Sequence, residues 1–115
     1  MTSLIACLGA DHHPHLRRLI AEQQWEQVYL IAAAPMEFAA EKPLSILVVS
    51  PAQPVQEYIA ELLSRLQGKI PGFEVALNLV SGSGKEHMGI VAACLKLGLG
   101  IRLVAVTREG ISELS

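Results

Sequence analysis

The stretch "SGSGKEHMG", residues 81–89, stands between an apolar run ending in Val80 and another beginning at Ile90. Its residue types are those that hold a phosphate. Gly82 and Gly84 let the backbone come close and adopt dihedrals closed to other residues. Ser81 and Ser83 offer hydroxyls to phosphate oxygens, and Lys85 adds a full positive charge. At a strand-to-helix junction the helix N-terminus contributes unpaired N–H groups and a partial positive charge. A plain tight turn with an exposed Lys85 is the competing reading. A second polar segment, "LGADHHP", follows the first apolar run. Histidines titrate near neutral pH, so His12, His13 and His87 are candidates for proton transfer. The "DHHPH" cluster also suggests a metal, but His15 follows Pro14 into a helix and points away from its neighbours. The ligand set is incomplete, and neither a metal nor a cofactor is expected. Asp11 serves equally well as a helix cap or as a ligand contact.

Two familiar phosphate motifs fail here. The P-loop pattern G-x-x-x-x-G-K-[ST] would need glycine where Leu79 stands and Ser or Thr where Glu86 stands. The dinucleotide pattern G-x-G-x-x-G, started at Gly82, meets His87 instead of its last glycine, and it belongs in the first strand–helix turn.

The elements that must position these loops alternate along 115 residues, a length that supports one domain spanning 1–115. Apolar runs at 3–9, 28–34, 44–50, 73–80 and 101–107 read as strands. Pro14 opens a helix whose face is Leu16, Leu19 and Ile20. Pro54 opens a second, with Val55, Tyr58, Ile59, Leu62, Leu63 and Leu66 at helical spacing and Gly68 closing it. Segment 85–97 is the third, and 35–42 makes one short helical turn at most. Strands this uniformly apolar, joined by helices, predict an α/β fold: three layers, a parallel sheet with helices on both faces. "IVAACL" (90–95) is apolar for six consecutive residues. That is more than one helix face needs, and it predicts a homodimer packed through helix 85–97, with Gly89, Ala92 and Ala93 allowing close approach.

Composition narrows the partners. Hydrophobic residues make up 51% of the chain, ample for a core, and the net charge is −2. A mildly acidic chain has no broad basic face for long nucleic acid, so an anionic ligand must be small and held locally. No apolar run reaches the roughly 18–20 residues that span a bilayer. "MTSLIACLG" lacks the basic start and length of a signal peptide, which predicts a cytoplasmic protein. Cys7 and Cys94, both in apolar runs, are expected as buried reduced thiols with no zinc spacing.

The stretch "LNLVSGSGKEHMGIVAACLKLGLGIRLVAV" resembles the signature of the CARF family, the CRISPR-associated Rossmann fold. There a hydrophobic strand enters a glycine-rich turn of the form N-x-(S/T)-G-G-(T/x)-K-x-M and then a small-residue helix. Asn78, Ser81, Gly82, Gly84, Lys85 and Met88 occupy corresponding places, with Ser83 inserted between the glycines. Gly9 and Asp11 in "CLGADHHP" match the family's second loop. The resemblance spans the chain in element order, but its specific residues are confined to these two loops.

The resemblance implies a Rossmann-like sheet and a two-fold dimer binding cyclic oligoadenylate, the second messenger of type III CRISPR immunity. Ligand contacts would come from Gly9, Ala10, Asp11, His12, His13, Ser81, Gly82, Ser83, Gly84, Lys85, Glu86 and Met88. Many CARF proteins carry an effector domain after the fifth strand. Here only "REGISELS" follows, so the domain itself is the function or the chain is a fragment of a longer protein. A stand-alone domain of this kind resembles a ring nuclease, with Lys85, His87 and His12 as the expected catalytic residues. No metal is needed, because RNA supplies its own 2′-hydroxyl nucleophile. Two alternatives stay open. One is a non-catalytic sensor or sponge for the ring. The other is a mononucleotide-binding domain resembling universal stress proteins, against which the missing G-x-x-G-x(9)-G-[ST] pattern counts.

Overall fold

Alternating apolar strands and amphipathic helices close here into one sheet with a helical layer on each face. The computed structural model describes residues 2–115, and Met1 lies outside them. Among these residues the strands are β1 (Ser3–Leu8), β2 (Val28–Ala32), β3 (Ser45–Val48), β4 (Glu74–Asn78), β5 (Gly100–Thr107) and β6 (Gly110–Glu113). The helices are α1 (His13–Glu22), α2 (Val55–Leu66) and α3 (Gly84–Lys96). The sheet runs β3-β2-β1-β4-β5-β6, parallel except for the antiparallel β5–β6 pair. The fold is thus α/β and Rossmann-like.

The period-2 pleat divides the core in two. Leu4, Ala6 and Leu8 of β1 pack with Leu16, Leu19 and Ile20 of α1. Ile5 and Cys7 pack on the other face with Tyr58, Leu62 and Leu66 of α2 and Ile90, Ala93 and Cys94 of α3. β1 is buried along its whole length, because it lies mid-sheet between both layers. From β1 the chain crosses through α1 on one face to β2. From β4 it crosses through α3 on the opposite face to β5. The carboxyl ends of β1 and β4 therefore flank the point where the winding direction reverses, the usual ligand crevice of such sheets.

Three features differ from the sequence reading. The tail "REGISELS" contributes β6, which turns back at Thr107–Gly110 and makes the sheet mixed. β3, read as a buried apolar strand, is only partly covered because it forms a sheet edge. In α3, Gly89 and Ala93 do not face a partner. A Cβ on Gly89 would sit 2.5 Å from the Tyr58 ring, and Ala93 is fully buried. Gly89 and Ala93 therefore serve the packing of α3 within the core it shares with α2 and the sheet. Only Met88 and Leu95 are left as large apolar side chains exposed on it, at 63% and 62%.

Candidate functional site

Two loops meet at the reversal point, and one hydroxyl ties them. The Gly9 N–H donates to Ser81 Oγ at 2.8 Å. The Ser81 hydroxyl donates to the Asp11 carbonyl at 2.7 Å and to its Oδ1 at 2.9 Å. The Gly82 N–H reaches the same Oδ1 at 3.4 Å. The loops touch so closely that a Cβ on Gly9 would lie 2.7 Å from the Gly82 nitrogen. Gly82 itself has φ +97°, and a Cβ there would stand 2.4 Å from Cys7 Sγ. Both glycines are therefore explained by loop-to-loop packing.

Gly84 is not. It begins α3, its φ is ordinary, and a Cβ would meet nothing within 4 Å. The missing side chain leaves open space over the helix start. There the N–H groups of Gly84 and Lys85 have no partner within the helix, as at any helix N-terminus.

The start of α3 is closed by a capping box. Ser83 Oγ accepts from the Glu86 N–H at 3.3 Å, while Glu86 Oε1 accepts from the Ser83 N–H at 3.0 Å and from its hydroxyl at 2.8 Å. Ser83 and Glu86, expected among ligand contacts, thus bond each other, and Glu86 is only 5% exposed. The spacing Ser-x-x-Glu before an apolar run is the sequence signal for this cap. Glu86's charge lies in the first turn of α3, where the helix dipole favours an anion.

The remaining candidates divide between anchored and free. His13 Nε2 donates to the Gly9 carbonyl at 2.6 Å and His87 Nε2 to the Ser81 carbonyl at 2.7 Å. Each carbonyl can only accept, so both rings carry their proton there and brace a loop. His12 is different. It is the residue before α1, sits in left-handed backbone at φ +61°, and is exposed. Its Nε2 lies 3.6 Å from Asp11 Oδ2. A non-glycine residue in this region stores strain and is a common mark of functional loops. Ala10 is exposed beside it. Met88 points outward from α3 and is not gathered with the others.

Lys85 brings in a third loop. Its Nζ donates to the Gln53 carbonyl at 2.7 Å, at the entry to α2. This loop, 50–54, follows β3 and so ends on the same side of the sheet. The sequence reading missed it, because nothing local in "SPAQP" marks a contact 32 residues away.

Hydrogen bonding from Ser81 chiefly, then from Gly82, together with the charge of the nearby His12, lowers the pKa of Asp11 from its ordinary value. Beneath the turn, burial first and Glu86 second push the Cys7 thiol up to about 12, so it is no nucleophile. The Tyr58 hydroxyl and Glu86 Oε2 are buried nearby without hydrogen-bond partners.

A second polar link was also missed. Asn78, fully buried at the end of β4, donates from Nδ2 to the Val104 carbonyl at 2.9 Å and to His15 Nε2 at 3.0 Å. His15 therefore turns inward as an acceptor and does not belong to the histidine cluster of the loop. Among the described residues no group of three or more His, Cys, Asp or Glu side chains could hold a metal ion. No helix among them is long and apolar enough to cross a membrane. Trp25 packs against the α1-side core, with its indole N–H on the Leu19 carbonyl at 3.0 Å. No known family model matches the chain, and no curated protein sequence does.

Proposed function

We propose that the protein binds cyclic oligoadenylate across a homodimer and cleaves it. The observation that carries this reading is the shelf at the reversal point, where Ser81 joins the two loops that resemble the CARF motifs and Gly84 leaves the helix start uncovered. The Ser81–Gly84 turn forms an open shelf, while one sizeable cavity lies elsewhere, lined by Trp25, Glu74 and Arg102. Two shelves facing across a two-fold axis would form a bowl suited to a ring of phosphates. Met88 and Leu95, exposed about one and about three helical turns along α3 from its start, would give that pairing an apolar seam.

Cleavage would proceed by in-line attack of a ribose 2′-oxygen on the adjacent phosphorus. The P–O5′ bond breaks, a 2′,3′-cyclic phosphate forms, and the proton lost by the 2′-hydroxyl is balanced by one gained at the 5′-oxygen. The protein must hold this geometry and stabilise charge on the phosphoryl oxygens. The Gly84 and Lys85 N–H groups would serve the second task, with the Lys85 ammonium adding its charge through the hydrogens not donated to the Gln53 carbonyl. His12, whose ring is not anchored to backbone, is the better proton carrier, while His87 positions the turn through the Ser81 carbonyl. Labelled cyclic tetraadenylate incubated with excess protein tests this. Linear product should form equally in excess EDTA, since the nucleophile belongs to the substrate. Lys85→Ala should slow single turnover roughly a hundredfold, as for loss of one donor to a developing oxyanion. A ring that stays intact with wild-type protein would leave the sensor reading in its place.

A further inference from the structure

We propose that the Asp11 carboxylate is a charge filter: it makes the 81–85 turn selective for phosphodiesters over terminal phosphates. The inference rests on the reading of this turn as a phosphate seat. Of the donors the turn presents, the Ser81 hydroxyl and Gly82 N–H face Asp11 Oδ1 at 2.9 and 3.4 Å. The Ser83 N–H and hydroxyl are taken by Glu86 Oε1. A ligand is left the Gly84 and Lys85 N–H groups and the Lys85 ammonium. Two carboxylates thus border one ammonium and one helix terminus.

The Asp11 carboxylate acts as the fixed charge. Asp11 is held ionised by its hydrogen bonds, and its side chain is 61% exposed toward the open shelf. Glu86 lies beneath, with Oε2 buried and unpartnered. A phosphodiester carries one negative charge at any pH near neutrality. A terminal phosphate carries close to two, because its second ionisation falls near pH 6. The dianion meets about twice the repulsion from Asp11 at the same distance. A ring has only diesters, so it passes this filter where mononucleotides do not.

The test compares adenosine 5′-monophosphate with its methyl ester, which has the same base and sugar but one ionisable oxygen fewer. Binding is read from the amide NMR shifts of Gly82, Ser83, Gly84 and Lys85. At about pH 8 wild-type protein should prefer the ester by about tenfold, the ratio expected for one added charge near a fixed carboxylate at a partly solvated site. Asp11→Asn should bring the ratio close to one, and Asp11→Ser serves the same purpose if the amide variant does not fold. At about pH 5 the monophosphate loses its second charge, and the wild-type preference should vanish. The charges of Lys85, Glu86 and the nearby His12 are the same in wild type and variant, so the change in the ratio on Asp11→Asn isolates the Asp11 charge. A ratio near one in wild type at pH 8, or an unchanged ratio in the variants with the turn amides still shifting, overturns the filter alone. If neither ligand moves those amides, the turn is no phosphate seat and both readings fall.

Discussion

Replacing Gly82 by alanine would bring a methyl carbon to 2.4 Å from Cys7 Sγ at a backbone φ of +97°. Strain and overpacking act together there, and the substitution should cost about 1–3 kcal/mol of stability, read from the shift in denaturant midpoint. Gly84→Ala should behave in the opposite way. Its Cβ meets nothing within 4 Å, and alanine improves a helical position by about 0.5–1 kcal/mol. Yet the methyl would stand over the N–H groups proposed to receive phosphate, so ring binding should weaken while stability holds or rises. Equal losses of stability in both variants would contradict this division. The glycine pair stood out in the sequence as a candidate site. What was not legible is that packing requires Gly82 and leaves Gly84 unconstrained, because that distinction depends on Cys7, which lies far away in the chain and meets Gly82 only across the β1–β4 junction.

At the scale of elements, α1 is fastened to the sheet by His15. Its Nε2 accepts from Asn78 Nδ2 and, at 3.4 Å, from the Val106 N–H, so one imidazole joins α1 to β4 and β5. Burial chiefly, then the charges of His12 and Arg18, lowers its pKa below the ordinary 6.5. The unfolded chain therefore takes up a proton at His15 before the folded chain does. The stabilisation from His15 is complete above about pH 6.5 and is lost as pH falls through the lowered folded value. Thermal melts from pH 8 to 5 should show this decline, and His15→Phe should flatten it. A variant with the same slope as wild type would contradict this role for His15. The strands and helices themselves were readable from apolar periodicity, since β1, α2 and α3 each hide a regular set of positions. β6 was not, because "GISE" is short, lies at an edge, and takes its order from pairing with β5. The tie of Asp11 to Ser81 was equally hidden, since neither residue's neighbours announce a partner 70 positions away. By contrast the Ser83–Glu86 cap was written in the sequence, where its polar residues read more readily as ligand contacts.

For the whole molecule, the question is whether one shelf is half a site. Gly89 and Ala93, which suggested a helix pairing in the sequence, are consumed by packing within the chain. The seam that remains is Met88 and Leu95, with Val91 and Ala92 half-buried between them. Light scattering should give a dimer at micromolar concentration, and Leu95→Glu should shift it to monomer without unfolding it, because the side chain is already 62% in solvent. A wild-type monomer with and without ring would remove the bowl. The most direct test of the account is calorimetric titration with cyclic tetraadenylate, because it reads affinity and stoichiometry together. The account predicts one ring for every two chains, bound far more tightly than ATP, since paired shelves engage several diester phosphates at once. ATP binding more tightly than the ring, at one molecule per chain, would contradict it and favour a mononucleotide site in the same crevice.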